Sequence, residues 1–407
     1  MAIISNRIEQ ESLQKGTDAR ISLKDKIETI ASTILSYENK KNLFINTLQE
    51  IQGKFEFSEE FMNRYDIKDE CITRDIILRD LGGMKIASVD GSILRESMLG
   101  MELIASKSRG AVFRFYKEKS PVVRYYPIDR NQNLNIQGIF RNTSKKEVEF
   151  LTNAERLLSE LKLIYQIIKD EKYLDMMILD GSLYLPEIFN SNDNYSKSPY
   201  NKKITQLLIN ILNICRERDT IVVGVLKDSI RSRLSTILRY LIPYEIKRDG
   251  RFKKFLEFNY PQILNLFKDY DLFYRLLGAG QRTFAMQIYP GQEENKPKTL
   301  FERYLDVKDI GLYSYLIKCV PMDVPLCIEF FSQNKKYKVM EIIKKSSSLL
   351  YPLSTIVFNY SEPSPQMEAH KRVKISEYEF KLLVDVIRNK TGFCSSLLPK
   401  RRDRKPL

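Results

Sequence analysis

Between residues 21 and 51 the apolar positions recur at roughly helical spacing. Ile21, Leu23, Ile27, Ile30, Ile34 and Leu35 open the run, and Leu43, Ile45, Leu48 and Ile51 continue it. Charged residues fill the gaps like a solvated face. Residues 1–80 are therefore expected to form a mainly helical N-terminal region, packed on the main body or on a second subunit.

From residue 81 the period changes. Residues 84–89 are a short apolar run leading into Asp90-Gly91-Ser92, and 98–117 and 122–126 carry further strand-like runs separated by Gly-containing turns. A helix is expected over 150–171, then a strand over 174–179 that again leads into Asp-Gly-Ser. Next come a helix over 203–217, a strand over 221–226 and a helix over 229–241. Residues 283–289, 312–320 and 326–331 read as strands, and 337–359 and 366–390 as helices. A meander followed by alternating strands and helices predicts an α/β fold with a mixed sheet flanked by helices. Residues 81–390 make the main domain. The polar stretches 189–202 and 290–300 read as loops, and 391–407 as a basic tail.

Composition narrows the functional classes. A length of 407 residues allows two or three domains or one elaborated domain, and 43% hydrophobic residues suffice for a real core. No run approaches 18 consecutive apolar residues, and the first residues lack a secretory h-region, so a soluble cytoplasmic protein without membrane contact is expected. The five cysteines are scattered without a C-x-x-C, so neither a disulfide framework nor a zinc finger is indicated. One histidine, His370, excludes mechanisms that need two. With 66 Lys and Arg against 52 Asp and Glu, the net charge of +14 points to a polyanionic partner.

The candidate chemistry centres on the repeated tripeptide. MKIASVDGSIL and LDMMILDGSLY each place a carboxylate, Asp90 or Asp180, where an apolar strand ends. Strand carboxyl ends are where α/β folds build sites, and glycine permits a sharp departure from the strand. A plain Asp-Gly turn is the competing reading. Within the helix that precedes the second copy, Glu160 has Leu157, Leu163 and Ile164 as helical neighbours and sits inside a widened apolar arc, or else is a partly exposed residue at the edge of that face, whereas Glu155 aligns with the polar face. A carboxylate turned toward a core needs compensation, which a metal shared with Asp90 and Asp180 would supply. Hard oxygen donors suit Mg2+ or Mn2+, and two such ions about 4 Å apart support phosphodiester hydrolysis. Lys227 follows the strand over 221–226, where it could stabilise charge on a phosphate or simply be solvated. His370, in a segment that follows two prolines, would favour Mn2+ over Mg2+ as a ligand, or be structural.

Two rival classes fit less well. A nuclease of the D/E-x-K type needs an acid two residues before its lysine, and Val225 stands there. A P-loop is absent from the sequence. A non-catalytic single-stranded nucleic-acid-binding subunit stays open. Phe113-Arg114-Phe115-Tyr116-Lys117 and Arg124-Tyr125-Tyr126 would serve as its stacking platform, or else as ordinary strands.

Taken together, VDGS at 89–92, SELKLIY around Glu160, ILDGSL at 178–183, VGVLKDS at 223–229 and PSPQMEAH at 363–370 resemble the NurA nuclease family. The resemblance runs from about residue 84 to about residue 375. It implies an RNase H-like core and manganese-dependent DNA cleavage of single-strand endonuclease or 5′–3′ exonuclease type. It also implies a homodimer and a HerA-type hexameric ATPase as partner, in DNA end processing or anti-phage defence. Metal-ligand roles fall on Asp90, Glu160, Asp180 and His370, and an active-site role on Lys227. The chain departs from the family pattern before the last motif. Glu362 stands where a tyrosine is usual and Gln366 where a leucine is usual, with Tyr360 two residues away as a possible substitute.

Overall fold

The computed structural model describes residues 23–52, 56–128, 134–139, 144–185, 199–227, 232–289, 299–392 and 394–398. In chain order, α1 (Leu23–Gln52) and α2 (Glu59–Arg64) precede β1 (Thr73–Asp75), β2 (Lys85–Ser97), β3 (Glu102–Arg114), β4 (Val122–Tyr126) and β5 (Leu134–Ile139). Then α3 (Lys145–Asp170), β6 (Met176–Asp180), α4 (Pro199–Glu217), β7 (Ile221–Leu226) and α5 (Arg233–Ile246) alternate. Short helices α6 (Tyr260–Leu264) and α7 (Asp269–Leu276) lead to β8 (Gln281–Thr283), β9 (Met286–Tyr289), α8 (Leu300–Val307), β10 (Ile310–Lys318) and β11 (Leu326–Gln333). Finally come α9 (Lys336–Leu353), α10 (Ser364–Val373) and α11 (Glu377–Thr391).

One mixed sheet joins all of these strands, in the order β1-β8-β10-β11-β7-β6-β2-β3-β4, with β5 beside β3 and β9 beside β10. One side of it is an antiparallel meander, β2-β3-β4, and β6 and β7 continue from β2 toward the middle, running parallel to it. This is the expected RNase H-like arrangement.

Each central strand has helices over both faces, so its pattern is a continuous apolar run rather than an alternation. Ala87, Val89, Met177 and Leu179 turn to one face and pack with Leu157, Leu161, Ile164 and Ile168 of α3. The intervening Ile86, Met176 and Ile178 turn to the other face and pack with Val339, Ile343 and Leu350 of α9. Each fully buried aliphatic side chain of this kind contributes roughly 1.5–3 kcal/mol. Helix α3 starts where Ser144 accepts the Glu147 backbone N–H, the usual device for an otherwise orphaned helix donor.

Several elements differ from the sequence expectation. β2 does not end at the first Asp-Gly-Ser. It runs on to Ser97, paired with β3 throughout, so Asp90 lies mid-strand. The helix expected over 366–390 is two helices, broken at Lys374. Ile375 is buried there, its N–H meeting Ser92 Oγ, and Ser376 opens a new helix with a reciprocal capping box to Glu379. Residues 199–202, read as loop, belong to α4, while 189–198 lie outside the described residues, as do 290–298 and the basic tail from 399 onward. The N-terminal region holds α1 and α2 but then supplies β1 to the sheet edge beside β8, and residues 1–22 are outside the described set. No helix among the described residues is long and apolar enough to cross a membrane.

Candidate metal centre

Four segments converge at one end of the central strands. β2 delivers Asp90, almost fully buried, whose backbone pairs with Arg109 of β3. β6 delivers Asp180 as its last residue. Helix α10 lies across β2 and β3 and delivers His370, whose Nδ1 meets Asp90 Oδ2 at 2.7 Å. The ligand atoms of Asp90, Asp180 and His370 all lie within 4.8 Å of one another.

Glu160 reaches the same place from α3, beneath β2. A Cβ on Gly91 would fall 2.2 Å from Glu160 Oε1 and 2.8 Å from its Cγ. Gly91 is therefore not a turn residue. It is the gap in the strand that admits a carboxylate from below. Glu160 is almost completely buried, and Arg156 one turn earlier donates to its Oε1 at 3.0 Å. Burial, with Asp90 and Asp180 nearby and Arg156 opposing, pushes its pKa up to about 8. Asp90 is also raised, first by burial and then by Asp180, against the lowering effect of His370. Carboxylates driven toward protonation by burial and by neighbouring carboxylates are a pattern that a cation relieves. The donor set of two aspartates and an imidazole fits a divalent cation.

The second Asp-Gly-Ser is built differently. Here the strand does end, and Gly181 takes φ +113°, a conformation that disfavours any side chain. The turn folds over β7, where a Cβ on Gly224 would lie 2.6 Å from the Gly181 carbonyl oxygen. Glu329 of β11 pairs with Gly224 in register and reaches the turn from there. Its Oε2 accepts the Ser182 hydroxyl at 2.8 Å, the Leu183 N–H at 2.6 Å and the Tyr184 N–H at 3.2 Å.

Lys227, just past β7, places Nζ 3.8 Å from Asp180 Oδ1 and 2.6 Å from Glu362 Oε1. Burial works to lower its pKa, but the Glu362 and Asp180 carboxylates outweigh that and raise it. Gln366, fully buried on α10, donates its amide to Asp180 Oδ1.

The structure thus brings together all five residues singled out from the sequence, with Glu160 and Lys227 flanking the Asp90–Asp180–His370 cluster. Sequence reasoning missed Glu329, Glu362 and Gln366 as members. Glu362 and Gln366 are the two positions that depart from the family pattern, which was their signal. Glu329 had a signal too, as a lone carboxylate inside the apolar run LCIEFF. Glu155, expected on a polar face, is buried instead, and Asn135 of β5 donates to it at 2.5 Å. Phe113 and Arg114 end β3 and Arg124-Tyr125-Tyr126 lie in β4, whereas Phe115, Tyr116 and Lys117 follow the strand and Tyr116 is exposed. Phe113 and Tyr126 are buried, and Tyr125 is covered by the Arg372 guanidinium at 3.9 Å from the ring centre.

Among solved structures the chain is similar to the NurA nuclease from Sulfolobus solfataricus, at 14% identity over 89% of this chain and 96% of that one, with a TM-score of 0.48. A second NurA crystal structure matches at 12% identity over 90% and 98%, TM-score 0.47. A NurA structure with manganese matches at 10% identity over 91% and 98%, TM-score 0.43. No curated protein sequence matches. The NurA domain model matches residues 84–375. That span is well over half of the chain and holds every residue of the cluster, and on it the chain belongs to the NurA family.

Proposed function

We propose that this protein is a metal-dependent nuclease that hydrolyses phosphodiester bonds of DNA. The observation that carries this reading is the convergence of Asp90, Asp180 and His370 within 4.8 Å, with the buried Glu160 beneath them. Asp90, Asp180 and His370 are the groups that would hold a divalent cation, with Glu160 as a further acidic ligand reaching through the Gly91 gap. Such a cation supplies charge neutralisation at a phosphodiester and a more acidic water. The imidazole in the donor set favours Mn2+ over Mg2+. Lys227 adds a fixed positive charge beside Asp180, suited to a phosphate oxygen.

The net charge of +14 suits a DNA backbone. Family membership supports a homodimer working with a HerA-type hexameric ATPase. The sequence has no P-loop of its own, so ATP-driven movement along DNA would fall to that partner.

Asp90→Asn and Asp180→Asn each keep the shape of the side chain and remove its charge. Both variants are expected to lose DNA cleavage while keeping their circular dichroism and their DNA binding. Chelation by EDTA should silence the unmodified protein in the same way. Full cleavage by either variant would remove the basis of the assignment.

A further inference from the structure

Lys227 sits between two carboxylates at unequal distances, 2.6 Å from Glu362 and 3.8 Å from Asp180. We propose that Glu362 is a positioning residue: it holds the Lys227 ammonium off Asp180, leaving the Asp180 carboxylate for a divalent cation. The inference rests on Asp180 being a metal ligand, as argued above.

The physical problem is competition. An ammonium and a divalent cation seek the same carboxylate oxygens. A lysine next to a metal-binding aspartate neutralises it unless another anion takes the lysine. Glu362 is suited to that task. It is almost fully buried, at 6% exposure, so water does not screen its hold on Lys227. It lies just before α10, the helix that also carries His370 and Gln366, so the anion that removes the lysine is tied to the same element as a ligand.

Asp180 receives a different donor in its place. The Gln366 amide bonds to Asp180 Oδ1, the same oxygen that faces Lys227 at the longer distance. A neutral amide orients a carboxylate without cancelling its charge. The two positions that depart from the family pattern therefore act on one aspartate: Gln366 aims it, and Glu362 keeps the ammonium from occupying it.

If Glu362 is removed, Asp180 is the remaining carboxylate of this pair. A partly buried ammonium that loses its partner gains by moving onto it. Metal binding should then fall, and removing the lysine as well should bring it back.

The test is a double-mutant cycle read by Mn2+ affinity, from calorimetry or from the electron paramagnetic resonance of free Mn2+, without substrate. Glu362→Gln is expected to weaken Mn2+ binding about tenfold, a coupling of ordinary size for groups in contact. Lys227→Met alone should change affinity little, whereas in the Glu362→Gln background it should restore most of the loss. Glu362→Asp keeps the charge but shortens the reach. It should also weaken binding and be rescued by Lys227→Met, which a purely long-range charge effect would not produce. It also serves if Glu362→Gln fails to fold. Unchanged affinity in Glu362→Gln, or effects of the two substitutions that simply add, would overturn the proposal. Asp180→Asn is the separate control. If it leaves Mn2+ affinity intact, the reading of the metal centre fails, whatever Glu362 does.

Discussion

At the scale of single residues, Gly91 and Gly181 occupy the same place in the same tripeptide for unrelated reasons. Gly181 supplies a backbone angle, φ +113°, at a true strand end. Gly91 supplies room, because Glu160 occupies the space where its Cβ would be. An alanine at each position therefore fails differently. Gly91→Ala meets Glu160 at Cγ as well as at Oε1, so rotating the carboxylate does not relieve the clash. It should destabilise the fold by roughly 1–3 kcal/mol through overpacking. It should also displace Glu160 and weaken Mn2+ binding. Gly181→Ala should cost a similar ~1–3 kcal/mol through backbone strain while leaving Glu160 in place. Thermal unfolding and an Mn2+ titration on both variants separate the two cases, and normal metal binding by Gly91→Ala would contradict the gap. The repeated motif made both aspartates legible in the sequence. It also misled, because two identical tripeptides suggest two identical turns. What decides between turn and strand is the carboxylate each tripeptide meets, Glu160 at Gly91 and Glu329 just after Gly181, and that partner lies 69 or more residues away along the chain, in α3 or in β11.

At the scale of elements, the site depends on where β11 and α10 are placed. β11 is a strand of the sheet core, read correctly as a strand from its apolar run, yet its Glu329 is the acceptor that closes the turn after β6. Glu329→Ala leaves the Leu183 N–H without that oxygen, whereas the Tyr184 N–H keeps the Ser182 hydroxyl at 3.0 Å. The expected cost is about 1–3 kcal/mol, the usual penalty for stranding a buried donor. Amide exchange at Leu183 should quicken well beyond that of β6 itself, and Mn2+ binding through Asp180 should weaken. Protection of the Leu183 amide at the native level would show that the turn holds itself. Periodicity located most helices and strands to within a few residues, because burial on both sheet faces writes long apolar runs. It failed at the junction of α10 and α11. A buried Ile375 and a capping box at Ser376 interrupt a pattern that otherwise reads as one helix. That break matters for the cluster, since it ends α10 at Val373, three residues after His370.

At the scale of the whole molecule, α1 is the element that the other described residues do not complete. Leu23, Ile27, Ile30, Ile34 and Tyr37 step along it four and three residues apart. The same steps continue through Lys41 to Phe44, Leu48 and Ile51. The last three are buried against α5, α6 and α7, whereas the first five are more than two-fifths exposed. One apolar stripe thus has its second half inside the fold and its first half in solvent. A strict four-three repeat is the spacing of a helix seam that packs against another helix, with Ile27 and Ile34 at alternate seam positions. The homodimer proposed above gives that stripe an occupant: the same segment of a second copy. The expected mass in solution is then about twice 47.8 kDa. Ile30→Asp with Ile34→Asp should shift the protein toward monomer at micromolar concentration. The unfolding temperature of the monomer should not change, because both side chains lie outside the core of their own chain. Sedimentation equilibrium across a concentration series reads the shift directly. A wild-type protein that is monomeric throughout would refute the dimer. A double variant that stays dimeric would move the interface away from α1. The metal centre supplies the internal control, since Asp90, Asp180 and His370 all come from one chain. A monomeric variant should keep its Mn2+ affinity, and loss of that affinity together with the dimer would mean that the second copy helps to shape the site.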